Sequence, residues 1–382
     1  MTMIANWEDA RDKARRRLPK IFFDFIDGAA FSEVTAKANI EDFERWALEQ
    51  RVLMDVAERD LETVYLGVKR RLPFALAPIG FAGLFAPNAE VDAARAAHAA
   101  GMPFCLSNFG IVSLEELRKA TDGPLWFQLY VLKDRSLSEK LLVRAENVGV
   151  EALCITVDSQ VKSVREKDTR NGFRNLTSVT PGLAMRLMTR PKWVYGALRS
   201  GPMRINNLAP YPEYGSSALE QAANLGNLID GAMTWDDVKK FRDRWKGKLI
   251  IKGVLSATDA SHCADVGADA IIVSNHGGRQ LDGARSTISV LPEVVEAVGT
   301  RLDVLFDGGI RRGSHAVKAM ALGAKGVLLG RSYAYAVAAD GQRGVSRLIE
   351  LLSTEMDVAI GHMGIKSVSE LFARRDEVLL KR

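Results

Sequence analysis

The run Ser274-Asn275-His276-Gly277-Gly278-Arg279-Gln280-Leu281-Asp282 holds the densest chemistry in the chain. His276 is one of five histidines and stands on a glycine-rich stretch, where backbone can approach a ligand closely. An imidazole there can act as a general base near neutral pH. Arg279, three residues on, can grip a carboxylate through two parallel hydrogen bonds. A capped loop with a surface ion pair would use the same residue types, and the run alone leaves both readings open.

Two further glycine-rich segments follow. Asp307-Gly308-Gly309-Ile310-Arg311-Arg312-Gly313 and Leu329-Gly330-Arg331 pair glycine amides with arginines, which suits a phosphate dianion. Tight turns would explain the glycines but not an arginine at both. Phe127-Gln128-Leu129-Tyr130-Val131 puts Gln128 and Tyr130 on one face of an apolar strand, where each needs a polar partner. Lys252 ends another apolar run. A buried ammonium without an anion is costly, so a ligand partner is expected there.

These residues sit at regular places in a repeating pattern. Short apolar runs bounded by Gly, Pro, Asn or Asp predict buried strands at Phe74–Ile79, Pro103–Ser107, Leu125–Val131, Ala152–Val157, Leu249–Gly253, Ala270–Ser274, Asp303–Asp307 and Gly326–Leu329. Amphipathic stretches such as Ala89–Ala100, Leu114–Ala120, Leu137–Val148, Ala257–Val266 and Ser314–Leu322 lie between most of them. Strand starts are 21 to 33 residues apart, with one exception of 97. Eight such βα units predict an α/β fold, a closed (β/α)8 TIM barrel over residues 74–345, with an open doubly wound sheet as the alternative. In a barrel the polar groups at strand C-terminal ends share one face. The long gap predicts a helix at Thr234–Trp245 and an insertion over about 159–231 on that face. Trp7–Arg51 reads as a helical extension, with Asn6 as N-cap and Leu18-Pro19 breaking the first helix. The whole of 1–382 reads as one domain.

Composition excludes other classes. The 382 residues are 47% hydrophobic and 26% charged, an ordinary globular balance. Cys105, Cys154 and Cys263 form no CxxC pair, which argues against a disulfide framework or a cysteine zinc site, and no metal is expected. Asn6–Lys20 is too charged for a secretory signal, so a cytoplasmic setting is expected. Pro73, Pro78 and Pro87 break the longest uncharged run, Leu72–Ala89.

In their order, Ala77-Pro78-Ile79-Gly80, Phe127–Tyr130, Thr156-Val157-Asp158, Lys252-Gly253, Ser274–Asp282, Asp307–Gly313 and Gly330-Arg331 resemble the FMN-dependent α-hydroxy acid dehydrogenases and oxidases, in particular the (S)-mandelate and L-lactate dehydrogenase branch. The resemblance runs from Leu18-Pro19-Lys20 to the C-terminal region. It implies oxidation of an (S)-2-hydroxy acid to the 2-oxo acid with FMN as cofactor. His276 would be the base and Asp158 would orient it and stabilise its protonated form. Arg279 and Arg165 would bind the carboxylate, and Tyr130 the substrate oxygen. Lys252 would face the flavin N1 and C2 oxygen. Pro78, Ile79, Gly80, Ser107, Gln128, Thr156 and Ser274 would line the flavin. Asp307 would hold the ribityl chain. Gly308 and Gly309 with Arg311, Gly330 and Arg331 would hold the phosphate.

The chain departs from that pattern at Phe25, where the family usually has a substrate-binding tyrosine. Gly80, often alanine in oxygen-using members, points to a quinone or other non-oxygen acceptor. Thr169–Pro212 contains no Asp or Glu but seven Arg or Lys, Arg174 among them, interleaved with Trp193, Tyr195 and leucines. The net charge is +5, and +6 of it falls between Asp158 and Gly215. That composition suits an interfacial segment, so residues 177–207 are expected to touch the inner face of the cytoplasmic membrane peripherally. A lid, an oligomer contact or RNA binding are the alternatives for the segment, and no nucleic-acid partner is expected. The family suggests a homotetramer. Competing functions are an oxygen-using oxidase forming hydrogen peroxide, an FMN-barrel isomerase or synthase, and a non-catalytic flavin-binding protein.

Overall fold

A computed structural model describes residues 3–173, 179–200, 203–211, 214–215 and 217–382. Arg174 and residues 177, 178, 201 and 202 of the basic segment lie outside them. Eight parallel strands, β1 (Phe74–Leu76), β2 (Phe104–Ser107), β3 (Leu125–Leu129), β4 (Ala152–Thr156), β5 (Lys248–Val254), β6 (Ala270–Val273), β7 (Asp303–Phe306) and β8 (Gly326–Leu329), form a closed barrel. β8 pairs with β1, which excludes the open-sheet alternative. All eight expected strands form, because strands buried on both faces read as continuous apolar runs. β1 and β3 stop short of the expected ends, so Pro78–Gly80 and Tyr130 leave the barrel as rim loop rather than strand.

The barrel interior is filled at its N-terminal end. Ala75, Cys105, Trp126, Cys154, Ile250, Ile272 and Leu305 form one buried cluster there. A hairpin of Thr63–Tyr65 and Val68–Arg70 plugs that mouth. Its Tyr65 hydroxyl donates to the Phe74 carbonyl at 3.1 Å, and its ring meets Trp126 edge-on. The opposite, C-terminal mouth carries the polar residues.

Helices return the chain outside the barrel. They are Ala89–Ala99, Leu114–Ala120, Arg135–Asn147, Trp235–Arg244, Ala257–Asp265, Thr287–Val298, Gly313–Ala321 and Arg331–His362. The last is broken at Asp340 and Gly341 and runs past residue 345. Thr234 and Asp237 make the capping box that starts the expected fourth helix. At the N-terminus, the Asn6 side chain caps Trp7–Arg17 by accepting from the Asp9 amide at 2.8 Å. Pro19 then separates it from Lys20–Asp27, and Val34–Glu41 follows. The expectation of helix to Arg51 fails at Trp46–Leu48, which pairs antiparallel with Leu379–Lys381. The strand exists because the far end of the chain satisfies its backbone groups.

The described part of the insertion holds helices Glu166–Asn171, Pro181–Met188, Pro191–Arg199 and Ala218–Leu228. Part of it packs on the body. The Trp193 indole donates to the Leu84 carbonyl at 2.9 Å, and Ile205, Asn207 and Leu208 are buried. Met185, Met188, Tyr195 and Leu198 point outward, all more than 60% exposed. Among the described residues no helix is long and apolar enough to cross a membrane.

Candidate active site

The C-terminal mouth of the barrel opens into a cavity. Its wall gathers Pro78, Ile79 and Gly80 after β1, Tyr130 after β3, Thr156 on β4, Lys252 on β5, and His276 and Arg279 after β6. Asp307, Gly308, Gly309 and Arg311 follow β7, and Gly330 and Arg331 follow β8. Phe25 comes from the N-terminal helix and Arg165 from the insertion. Sixteen of the twenty sequence-selected residues therefore meet on one surface. Asp158 stands behind His276. Ser107, Gln128 and Ser274 are buried in strands or strand ends beside the wall. Ser107 and Gln128 face each other across β2 and β3, as do Thr156 and Lys252 across β4 and β5.

At one end of the cavity three groups form a line. His276 Nδ1 lies 3.0 Å from Asp158 Oδ1, and His276 Nε2 lies 3.2 Å from the Tyr130 hydroxyl. With Nδ1–H directed at Asp158, the Nε2 lone pair accepts from the Tyr130 hydroxyl at the edge of the cavity. Burial pulls the His276 pKa below the usual histidine value, and Asp158 opposes that pull. Asp158 stays below the ordinary carboxylate range despite its burial, because His276 and Lys252 favour its charge. Burial and then Asp158 push the Tyr130 hydroxyl up to about 12, so it remains a donor at neutral pH. His276 adopts φ +59°, a left-handed conformation that non-glycine residues rarely take. The loop is held to impose it.

The arginines are anchored from the N-terminal helix. Arg279 donates to the carbonyls of Phe25 at 2.8 Å and Gly28 at 2.6 Å, and its guanidinium lies 5.1 Å from the Phe25 ring centre. Arg331 donates to Ile26, Gly28 and Gly277 carbonyls between 2.7 and 3.0 Å. Phe25 therefore does more than omit a hydroxyl: its ring underlies an arginine and packs on Phe173 at 4.8 Å. Arg165 is 3.9 Å from Asp168.

At the other end, Lys252 Nζ meets Asp307 Oδ2 at 2.9 Å and donates to Ser274 Oγ at 2.7 Å. A protein carboxylate therefore accompanies this ammonium at the cavity wall. Burial opposes its charge, but Asp307 and then Asp158 hold the ammonium above the ordinary lysine range. Arg311 is buried over the Trp7 ring, and desolvation lowers its pKa to about 10.

This end fits FMN. Buried polar atoms without a protein partner include Gln128 Nε2, Thr156 Oγ1, Asp307 Oδ1 and Arg311 Nε, a set of donors and acceptors suited to a ring, a ribityl chain and a phosphate. Gly308 and Gly309 have φ of +99° and +87°. A Cβ at Gly309 would overlap the Asn39 carbonyl oxygen, so the turn requires glycine, and both glycines line the cavity. The helix beginning at Arg331 starts beside them, where an anion is favoured.

Residues not singled out from the sequence also line the site. Phe85 and Phe109 are wall residues, and Phe109 stacks on Tyr130 at 5.1 Å. Both are apolar residues in apolar company, and nothing in the local sequence separates them from core.

A family model for FMN-dependent dehydrogenases matches residues 14–378. The chain is 45% identical over 370 residues to an L-lactate dehydrogenase of Caulobacter vibrioides (strain NA1000 / CB15N), covering 97% of this chain and 96% of that one. It is 42% identical over 372 residues to an L-lactate dehydrogenase of Pseudomonas syringae pv. syringae (strain B728a), covering 97% and 98%. Among solved structures, the monotopic membrane protein (S)-mandelate dehydrogenase matches with a TM-score of 0.94 at 36% identity over all of both chains. A mandelate oxidase matches at 0.84 and 37% identity over 96% and 97%. With the barrel, the histidine line and the FMN-shaped cradle, these likenesses show that the chain belongs to the FMN-dependent α-hydroxy acid dehydrogenases, oxidoreductases acting on CH–OH groups.

Proposed function

We propose that this protein oxidises an (S)-2-hydroxy acid, with L-lactate the first candidate, and passes the electrons through FMN to a quinone or another acceptor than oxygen. The observation that carries this is the Asp158–His276–Tyr130 line opening on the same cavity as the buried Lys252–Asp307 pair. The 42–45% identical L-lactate dehydrogenases support L-lactate as the first choice.

Each residue's part follows from its chemistry. Arg279 and Arg165 neutralise the substrate carboxylate. The Tyr130 hydroxyl, a donor at neutral pH, orients the carbinol oxygen. His276 Nε2 accepts the proton that leaves the carbinol, and Asp158 stabilises the resulting imidazolium. Gln128, Thr156, Asp307, Arg311 and the Gly308–Gly309 amides would hold FMN, with Gly330 and Arg331 closing the phosphate end. When bound, FMN supplies the two-electron acceptor. Lys252 places a fixed positive charge at the cavity floor, where charge gained by the ring would be offset.

Anaerobic mixing of the flavin-loaded protein with L-lactate, glycolate and (S)-mandelate tests the reading. Bleaching of the flavin by at least one acid is expected. Failure with every acid would return the protein to the non-catalytic flavin binders. Similarity to a mandelate oxidase favours oxygen use as the second reading. Stoichiometric hydrogen peroxide in air would establish it and overturn the acceptor assignment drawn from Gly80.

Peripheral membrane contact through residues 177–207 is part of the proposal, placed on the inner face of the cytoplasmic membrane. Outward Met185, Met188, Tyr195 and Leu198 on two short helices with Arg186, Lys192 and Arg199 support it. So does the likeness to a mandelate dehydrogenase described as monotopic. Replacing the four apolar residues by serine should abolish cosedimentation with anionic vesicles while flavin bleaching persists. Unchanged cosedimentation would refute the contact. A homotetramer is proposed on family likeness, and sedimentation velocity checks it.

A further inference from the structure

We propose that Asn39 is a positioning residue that locks the His276 loop to the phosphate-binding loop. The inference rests on the reading of His276 as the base and of Gly308–Arg311 as part of the FMN cradle. Asn39 lies on helix Val34–Glu41, outside the barrel, and does not line the cavity. Its side chain and that of Asn275, the residue before His276, form a reciprocal amide pair. Asn39 Nδ2 donates to Asn275 Oδ1 at 2.7 Å, and Asn275 Nδ2 donates to Asn39 Oδ1 at 2.8 Å.

The pair extends in both directions. Asn275 Oδ1 also accepts from the Gly278 amide at 3.1 Å, and Asn275 Nδ2 also donates to the Arg285 carbonyl at 3.2 Å. Asn39 Oδ1 also accepts from the Thr287 amide at 3.2 Å. Thr287 Oγ1 in turn donates to the Gly308 carbonyl at 3.3 Å, and the Asn39 backbone oxygen packs where a Cβ of Gly309 would sit. Both asparagines are almost fully buried. A buried network satisfied this fully is rigid, and removing one member strands the others.

The strained loop explains why such a lock is needed. His276, Gly277 and Gly278 all have positive φ, between +59° and +73°. A residue held in that region persists only where its surroundings impose it. Ser274 Oγ accepts the His276 amide at 3.1 Å on one side, and the Asn275 side chain holds Gly278 on the other. Arg279 is anchored separately, by the Phe25 and Gly28 carbonyls. Loss of Asn39 should therefore tilt the base while leaving the carboxylate site in place.

The test compares wild type with Asn39→Ala, and with Asn39→Ser as the milder variant should the first fold poorly. Steady-state turnover of the best acid from the panel with an artificial electron acceptor gives kcat and KM. Quenching of FMN fluorescence by apoprotein gives the FMN Kd. Amide exchange is followed in peptides covering 274–280 and 307–311, with helix Ala89–Ala99 as control. The expected result is a kcat at least 10-fold lower with KM within 3-fold of wild type. FMN Kd should rise at least 3-fold, and exchange should quicken in both loops but not in the control helix. A kcat within 2-fold of wild type, KM rising in step with the loss of kcat, or quickened exchange in only one loop would overturn the proposal. If the wild type itself bleaches with no acid, the functional reading fails, and the exchange and FMN data still decide whether Asn39 links the loops.

Discussion

Replacing Asp158 by asparagine isolates the electrostatic part of the histidine line. The amide keeps the shape and can still accept from His276 Nδ1–H, so the geometry is preserved while the charge is removed. At the 3.0 Å Nδ1–Oδ1 separation, a carboxylate and an imidazolium attract by roughly 5 kcal/mol at an effective dielectric of about 20. The neutral amide retains part of that as an ordinary hydrogen bond. A net loss of about 3–4 kcal/mol remains, or roughly 150- to 900-fold in the rate of substrate oxidation. Stopped-flow bleaching of the flavin under anaerobic conditions measures it directly. The pH profile supplies a second, signed readout. Activity needs neutral His276, so kcat/KM rises as pH passes its pKa. Burial lowers that pKa and Asp158 raises it. Without Asp158 the acid limb should therefore move to lower pH even as the rate falls throughout. A loss below about 10-fold, or an acid limb that stays put or moves up, would show that Asp158 does not stabilise the protonated histidine.

Other perturbations follow from the same contacts. Phe25→Tyr places a hydroxyl beside Arg279, and one added hydrogen bond worth about 0.5–1.5 kcal/mol should lower KM for L-lactate roughly 2- to 13-fold in steady-state assays. Weaker binding would mean that the aromatic wall serves a different substituent. Lys252→Met leaves the buried Asp307 and Asp158 without their shared cation and should cost the apoprotein about 3–5 kcal/mol in urea unfolding. A loss under about 1 kcal/mol would refute the ion-pair account. Asp27 is half-buried, and burial opposes its charge, yet Arg11, Lys167 and Tyr335 hold its pKa down at about 2. Its contribution, about 2 kcal/mol, is complete above about pH 4 and disappears as pH falls towards 2. Asp27→Asn should remove that amount at neutral pH and flatten this part of the stability profile.

Some of this architecture was legible from local signals. Strands buried on both faces appear as uninterrupted apolar runs, and β1 to β8 were all found that way. Asn6 and Pro19 act within one helical turn, so their capping and breaking roles could be read directly. Trp46–Leu48 was misread as helix because its partner, Leu379–Lys381, lies at the other end of the chain. The segment expected to touch the membrane, residues 177–207, also runs into residues that dock on the body. Ile205 and Asn207 are buried, with the Asn207 side chain accepting from the Leu114 amide, and no local pattern announces that docking.

By itself the sequence determined the order of the βα units, the residue types on the rim and the family. These depend on periodicity, on turn glycines and on short motifs, all set within a few neighbouring residues. Tertiary structure alone decided which of those residues meet. Closure of β8 onto β1 brought Arg331 to the carbonyls after Phe25, and the fold set the Asp307 carboxylate against the Lys252 ammonium. It also decided the charge states, because burial and the nearest opposite charge set a pKa. Both depend on distances between residues well separated in sequence, 118 positions for Asp158 and His276. The Asn39–Asn275 pair, 236 residues apart, shows the same limit: two ordinary asparagines become informative only when the fold places their amides face to face.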